Sequence, residues 1–251
     1  MTPSESDRLL AVVLRTRITI FVGHFGSGKT EIAVNLAYQM RDRGEQVTLV
    51  DLDVVKPYFR SRGLIEDLEA RGIRMVAPRD EFAHADLPIV VPEVRAAVGQ
   101  ATAGLCRVLI DVGGAEVGAR VLGSIPGLTD PAVTDVLFVV NGNRPFAETT
   151  EAVVAMLRDI EQVSRLKVHG LVANTHLMDE TTVQIVCDGI DLAESVGAAT
   201  DLPVRFCAVR STLADAVRSR APRMPLLAVE RHIMPPLELQ RPGQRRRSSV
   251  L

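Results

Sequence analysis

Residues 23–30 read GHFGSGKT, a combination of residue types and spacing that could bind phosphate. Glycines let backbone N–H groups turn inward around phosphate oxygens, which bulky side chains would obstruct. We expect Lys29 to reach the β- and γ-phosphates of a nucleoside triphosphate and the Thr30 hydroxyl to ligate Mg²⁺. An ordinary glycine turn between a strand and a helix is the structural alternative. The residues predicted to bind the nucleotide here are Gly23, His24, Phe25, Gly26, Ser27, Gly28, Lys29, Thr30 and Glu31.

Two acidic candidates end the apolar run at 46–52, which reads as a buried strand closing in Asp51-Leu52-Asp53. Strands of open parallel sheets place their functional groups at their carboxyl ends, so we expect both acids to face the phosphate-binding loop. Asp53 is suited to orient or polarise a water molecule against the γ-phosphate, and Lys29 and Asp53 are the predicted catalytic residues. Asp51 could hold a water bound to Mg²⁺. Two acids that cap the next helix are the alternative.

The predicted strand at 107–110 ends in a second acidic motif, Asp111-Val-Gly-Gly114. An acid at this position can lie near Mg²⁺ through water, and a glycine N–H can sense the γ-phosphate. The four-residue string is weak by itself, because many junctions between strands and turns resemble it. Its place downstream of a phosphate-binding loop makes Asp111 a candidate metal residue and Gly114 a candidate nucleotide contact.

The rest of the chain alternates apolar runs with stretches of helical spacing. Because the runs are apolar throughout rather than alternating, we predict an α/β fold with a doubly wound, mostly parallel sheet flanked by helices. The simplest division is an N-terminal extension (1–16), one nucleotide-binding domain (17–240) and a basic, disordered tail (241–251). The predicted strands are 18–22, 46–52, 73–77, 107–110, 135–140, 166–173 and 202–209, and the later helices are 92–103, 147–163 and about 180–196.

Composition limits the function classes. A net charge of −2 over 251 residues is not typical of a protein that binds nucleic acid over its whole surface. The tail carries four arginines and could contact nucleic acid or an acidic surface. Cys106, Cys187 and Cys207 are isolated in apolar surroundings, which favours reduced core thiols in a cytoplasmic protein. No apolar run reaches the roughly 20 residues that span a membrane. The N-terminal run LLAVVL (9–14) is too short for that, and we expect it to pack on the domain as a helix or a strand.

The chain resembles the MinD/ParA family of P-loop ATPases and the related cobyrinic-acid-synthase-like proteins. The resemblance spans about residues 17–215 and rests on GHFGSGKT, VDLD, IDVGG and VANTH in the family's order. It implies that Asp53 activates water, that Asp111 belongs to the magnesium shell, and that Asn174 reads adenine. ATP is therefore favoured over GTP, and the guanine-reading string N-K-x-D is absent from the sequence. Family members form ATP-dependent, face-to-face homodimers, hydrolyse ATP slowly and use the cycle as a switch.

One departure makes the chain an atypical member of that family. The family's loop usually begins G-K-G-G, and its extra lysine crosses the dimer interface to the partner's phosphates. Here His24 and Phe25 occupy the second and third positions. A neutral imidazole cannot replace an ammonium group, although a protonated one could do so in part. The sequence leaves the substitute open among His24, Lys56, Arg60, Arg62 and Arg120.

Three functions are compatible with these residues. The first is an ATP-driven dimerisation switch that controls an unidentified partner protein or cargo, with ATP and Mg²⁺ as cofactors. The second is a small-molecule kinase or ATP-dependent ligase, in which Asp53 is the base and residues 58–62 or 80–88 bind the acceptor. The third is a nucleotide-binding scaffold that hydrolyses almost nothing, which the missing lysine favours over a fast ATPase.

Overall fold

The apolar runs of the sequence form the strands of one sheet in the computed structural model, which describes residues 5–13, 15–52, 62–77, 91–113 and 119–233. Each strand pairs with its neighbours in parallel. The predicted parallel α/β fold is therefore confirmed. The eight strands of this described part are β1 (Ile18–Val22), β2 (Val47–Asp51), β3 (Arg74–Val76), β4 (Arg107–Asp111), β5 (Thr134–Val140), β6 (Gly170–Ala173), β7 (Val204–Arg210) and β8 (Leu226–Val229).

The strands lie side by side in the order β3-β2-β4-β1-β5-β6-β7-β8. β1 is central and fully buried, because it pairs with β4 on one side and with β5 on the other. The chain builds outward from β1 in both directions, which creates a topological switch point at its carboxyl end. Ligands of open α/β sheets bind at such a point, and the phosphate-binding loop begins there.

Helices cover both faces of the sheet and separate its buried side chains into two apolar clusters. α1, α2 and α3 pack on one face, and the other described helices pack on the opposite face. This two-sided burial explains why the strands are apolar throughout. The described helices are α1 (Glu5–Val13), α2 (Lys29–Asp42), α3 (Arg62–Ala70), α4 (Val91–Thr102), α5 (Ala119–Leu122), α6 (Thr150–Ser164), α7 (Val183–Thr200) and α8 (Ala214–Arg220).

Two long helices begin about three residues later than the sequence predicts, in each case after a threonine cap. The Thr149 hydroxyl accepts a hydrogen bond from the backbone N–H of Ala152 at the start of α6. The Thr182 hydroxyl accepts one from the N–H of Ile185 at the start of α7. Each cap satisfies an N–H group that has no partner within the helix, so it fixes the first helical residue.

β6 is shorter than predicted, because it begins at Gly170 rather than at 166. Leu166 and Val168 are buried, as their apolar character indicates. Their backbone N–H groups donate to the side chains of Ser164 and Glu161 instead of to a neighbouring strand. Burial was therefore predicted correctly, whereas the strand hydrogen bonding was not.

All three cysteines are free thiols, and Cys207 is buried while Cys106 and Cys187 are partly buried. Burial raises the pKa of Cys207 to about 12, so this thiol stays protonated at neutral pH. Among the described helices, none is long and apolar enough to cross a membrane.

α1, which lies within the predicted N-terminal extension, belongs to the folded core. Leu9, Leu10 and Val13 are buried in the same apolar cluster as Phe206 of β7 and Leu227 of β8. The run Leu-Leu-Ala-Val-Val was expected to pack on the domain as a helix or a strand, and it does so as a helix. α1 therefore covers the end of the sheet that β7 and β8 form.

Replacing Leu9 with alanine tests this packing. Leu9 is 1% exposed, so the cavity left by Leu9→Ala should lower the free energy of unfolding by about 2–5 kcal/mol. Ala11 is exposed on the same helix, and Ala11→Gln should change that free energy by about 0.5 kcal/mol or less. Urea unfolding followed by circular dichroism measures both variants. A wild-type unfolding midpoint for Leu9→Ala would show that α1 does not contribute to the core.

Candidate functional site

The phosphate-binding loop connects the carboxyl end of β1 to the first residue of α2. Gly28 caps α2 with a φ of +91°, a left-handed conformation that glycine adopts without strain. A Cβ atom on Gly28 would lie 2.2 Å from Nδ2 of Asn174, so the Asn174 amide would have to move to admit a side chain here. The loop thus places the N-terminus of α2, with its partial positive charge, at the carboxyl edge of the sheet.

Lys29 and Thr30 begin α2 and are tied to the surrounding structure in different ways. Lys29 is 5% exposed, and its Nζ donates to the backbone carbonyls of Gly23 at 3.1 Å and His24 at 2.8 Å. The ammonium group is therefore held over its own loop, where phosphate oxygens would arrive. The Thr30 hydroxyl donates to Oδ2 of Asp111 at 2.5 Å, which joins α2 to the end of β4.

The two acids predicted to hold Mg²⁺ lie on neighbouring strands. Asp51 ends β2 and Asp111 ends β4, and the two are direct partners in the strand register. Both are almost completely buried, at 1% and 3% exposure. Two carboxylates beside the Thr30 hydroxyl provide the hard oxygen ligands that Mg²⁺ prefers. A bound cation would also offset the cost of burying two acids, so the donor set fits Mg²⁺.

Arg144 is a residue of the site that the sequence analysis did not identify. It lies in the loop after β5, and its Nε donates to the carbonyl oxygen of Gly26 at 2.7 Å. The guanidinium group packs so closely that a Cβ on Gly26 would lie 3.3 Å from its Cζ and Nε. No local motif marks Arg144, because its contact with the phosphate-binding loop depends on the pairing of β1 with β5.

Asn174 follows β6 and supports the same loop from another side. Its Nδ2 donates to the carbonyl oxygen of Ser27 at 2.7 Å. The role of Asn174 in reading adenine, which the resemblance implies, stays a prediction. His176 lies nearby, and burial, with a smaller contribution from the charge of Arg144, lowers its pKa to about 4. The His176 imidazole is therefore neutral at neutral pH.

The side chains of Glu31 and Asn35 on α2 hold the segment that follows β8. Glu31 accepts hydrogen bonds from the backbone N–H groups of His232 and Ile233. Burial raises the pKa of Glu31 to about 7, against the opposing effect of these hydrogen bonds. Asn35 donates to the carbonyl of Glu230 and accepts from its N–H, as a paired strand would. A nucleotide contact by Glu31 stays a prediction.

A cavity of about 290 Å³ opens beside the phosphate-binding loop. Lys29, Thr30 and Asp111 line one part of it, together with Arg144. Other walls come from the ends of β7 and β8, from the segment between β6 and α7, and from α7. They combine apolar side chains with charged ones; these residues include Val186, Val209, Val229, Asp179, Arg210 and Arg231. Polar phosphate ligands and apolar walls within one cavity suit a nucleotide.

Several predicted site residues lie outside the described parts of the chain. Asp53 and Gly114 are among them, as are Lys56 and Arg60 and the side chain of Arg62. Their roles stay predictions.

Two candidates to replace the missing lysine, His24 and Arg120, lie within the described parts of the chain. His24 is partly buried, and its Nδ1 lies 2.7 Å from the carbonyl oxygen of its neighbour Phe25. Arg120 is exposed on α5. Neither side chain belongs to the lining of the cavity, whereas Arg144 does.

Comparison with known families identifies the domain. Residues 18–191 match CbiA, the CobQ/CobB/MinD/ParA nucleotide binding domain. Since the match covers more than half of the chain, the protein belongs to this family. No curated protein matches the sequence.

Solved structures with a similar fold include three FtsY proteins. The cell division protein FtsY of Thermotoga maritima is 20% identical over 77% of this chain and 62% of that chain, with a TM-score of 0.51. Chloroplast FtsY of Physcomitrella patens is 19% identical over 81% of this chain and 65% of that chain, with a TM-score of 0.51. The signal recognition particle receptor FtsY of Elizabethkingia anophelis in complex with GDP is 17% identical over 82% of this chain and 64% of that chain, with a TM-score of 0.50. At these identities the likeness shows the fold alone. The chain spans a little under two thirds of the length of these proteins.

A Gly28→Ala substitution tests the packing of the phosphate-binding loop. The added methyl group collides with the Asn174 amide, and the loop must open, so we expect the nucleotide dissociation constant to rise about tenfold or more. Gly44 provides the matched control, because its φ is +82° but a Cβ there meets nothing within 4 Å. Gly44→Ala should leave the dissociation constant unchanged while costing about 1 kcal/mol of stability. Calorimetric titration that finds equal affinities for the two variants would contradict the packing.

Proposed function

We propose that this member of the CobQ/CobB/MinD/ParA family binds ATP with Mg²⁺, hydrolyses it slowly and acts as a nucleotide-dependent dimerisation switch for a partner protein or cargo. One observation carries the nucleotide part of this proposal. The loop that holds Lys29 and Thr30 is joined to Asp111 and opens on a cavity of nucleotide size. The switch part is supported by the resemblance of the sequence to the MinD/ParA proteins and by the surface around the cavity.

Phosphoryl transfer needs little covalent chemistry from the protein, because it depends on positioning and on charge. In our proposal Lys29 leaves the carbonyls of its own loop and contacts the β- and γ-phosphates. Thr30, Asp111 and Asp51 hold Mg²⁺, which when bound supplies the charge that neutralises the phosphate oxygens. Asp53 orients the attacking water, and this role rests on the sequence alone.

Two residues that line the cavity, Asp179 and Asn174, support adenine as the base. A guanine base presents N–H donors that an available carboxylate matches best. The Asp179 carboxylate is already engaged by two guanidinium groups, those of Arg210 at 3.0 Å and Arg231 at 3.6 Å. An amide such as that of Asn174 can both donate to and accept from the adenine edge.

Exposed apolar residues around the cavity support dimerisation at this face. Phe25 of the phosphate-binding loop is 47% exposed and Phe146 in the loop after β5 is 79% exposed. Leu177 and Met178, in the loop after β6, are also exposed. Phe146 and Met178 have φ values of +64° and +53°, a conformation that is strained for such side chains. Apolar side chains held outward at a binding site are typical of an interaction surface.

The choice of nucleotide is tested by titrating the protein with ATP and GTP in the presence of Mg²⁺. We expect ATP to bind about tenfold or more tightly than GTP, since in our proposal the Asn174 amide pairs with adenine and the Asp179 carboxylate is occupied by two guanidinium groups. Lys29→Ala should weaken ATP binding about tenfold or more, because charge-assisted hydrogen bonds to phosphate are lost. Calorimetry and a competition assay measure these constants. Equal or reversed preference would replace ATP with GTP in the proposal.

The switch is tested by light scattering, without nucleotide and with Mg²⁺-ATP, on the wild type and on Asp53→Ala. We expect ATP to produce a dimer, and Asp53→Ala to remain dimeric while turnover is abolished, because the water is no longer oriented. If ATP does not change the molar mass of either protein, the proposed dimerisation switch is wrong. Turnover that depends on an added acceptor would then indicate a kinase or ligase, and tight ATP binding with turnover indifferent to Asp53→Ala would indicate a scaffold.

A further inference from the structure

The loop between β5 and α6 holds Arg144 in a fixed position against the phosphate-binding loop. The N–H of Arg144 donates to the carbonyl of Asn141, and the carbonyl of Arg144 accepts from the N–H of Ala147. The Asn141 side chain also accepts from the N–H of Asn143. These bonds form a compact turn, so the backbone of Arg144 does not depend on a ligand or a partner for its position.

The side chain of Arg144 is anchored by one atom and leaves its other donors available. Nε donates to the carbonyl of Gly26, and this is the single hydrogen bond of the Arg144 side chain with the described residues. A guanidinium group has five N–H donors, so the four on its two terminal nitrogens are not used in that bond. The same side chain lines the cavity, together with Lys29 and Thr30.

The charge of Arg144 is not neutralised within the described parts of the protein. No carboxylate there forms an ion pair with Arg144, although Asp111 lines the same cavity. The charge also acts inside the cavity, since it contributes to lowering the pKa of His176. An anchored guanidinium beside a phosphate-binding loop, whose terminal donors and charge have no partner among the described residues, is suited to bind an anion.

We propose that Arg144 binds the γ-phosphate of the nucleotide from within its own chain and stabilises the charge that develops during hydrolysis. It would thereby provide the cation that His24 does not supply at the position of the family's lysine. The inference rests on the proposed nucleotide function and adds a phosphate ligand from the loop after β5. An arginine supplied by the same chain can serve phosphoryl transfer as well as one supplied by a partner.

The geometry also predicts that lysine is a poor replacement for Arg144. Nε anchors the side chain on Gly26, and the same side chain lines the cavity. If the terminal nitrogens bind phosphate while Nε keeps its bond, the side chain must be a planar fork. A lysine side chain has one ammonium group, which can contact either the Gly26 carbonyl or the phosphates. Arg144→Lys should therefore retain the charge and recover only part of the function.

The test compares the wild type with Arg144→Ala, Arg144→Lys and Arg158→Ala. Arg158 is exposed on α6, so its removal provides the same change in charge away from the cavity. Binding of Mg²⁺-ATP, ADP and AMP is measured by calorimetry, and ATP turnover by phosphate release. For Arg144→Ala we expect ATP binding to weaken about tenfold or more, AMP binding to change less than about twofold, and turnover to fall about 100-fold or more.

The ratio of the affinities for ATP and ADP distinguishes binding of the terminal phosphate by Arg144 from structural support of the loop. If Arg144 only supports Gly26, its loss distorts the loop and weakens ATP and ADP binding by the same factor. Unchanged ATP binding and turnover in Arg144→Ala, or equal weakening of ATP and ADP, would overturn the inference and leave the proposed function intact. Failure of the wild type to bind any nucleotide would overturn both. If Arg144→Ala does not fold, Arg144→Lys provides the test. The ratio of its affinity for ATP to its affinity for ADP must be lower than in the wild type, because contacts with the terminal phosphate are lost.

Discussion

The hydrogen bond from the Thr30 hydroxyl to the Asp111 carboxylate joins the first turn of α2 to the end of β4, and the rest of the site is arranged around this connection. Two further bonds hold the phosphate-binding loop from the opposite side, from Arg144 to Gly26 and from Asn174 to Ser27. The three supports come from β4, β5 and β6, of which β4 and β5 pair with β1 directly. Strand order therefore decides which side chains reach the loop.

The far wall of the cavity depends on α2 rather than on the sheet alone. Glu31 and Asn35 lie one turn apart on α2 and bind the backbone of the segment from Glu230 to Ile233. Arg231 and Ile233 of that segment line the cavity. The family match ends at residue 191. The part of the cavity lined by β7, β8 and this segment therefore lies outside the matched region. A helix that begins at the phosphate-binding loop thus also fixes the wall of the cavity that Arg231 and Ile233 form.

The phosphate-binding loop could be predicted from sequence because its determinants are local. Glycine spacing, Lys29 and Thr30 lie within eight residues, and the flanking strand and helix have clear periodicity. Arg144 could not be found in this way, since 118 residues separate it from Gly26. β8 is four residues long, and so short an apolar run cannot be distinguished from a buried loop or helix end by periodicity. The parallel fold was predictable because most of the strands are buried on both faces and therefore consist of continuous apolar runs.

A cation supplied from within the chain changes what dimerisation can control. Where a lysine comes from the partner subunit, hydrolysis begins only after two copies have met, so the rate of hydrolysis depends on dimer formation. Arg144 is anchored on Gly26 by its own chain, and the charge is in place before any second copy arrives. In that arrangement a second copy would be held by the exposed apolar side chains around the cavity, such as Phe25 and Phe146, rather than by a cation crossing to the phosphates. Dimer formation would then govern which partner is engaged, while the rate of hydrolysis would be set within each copy.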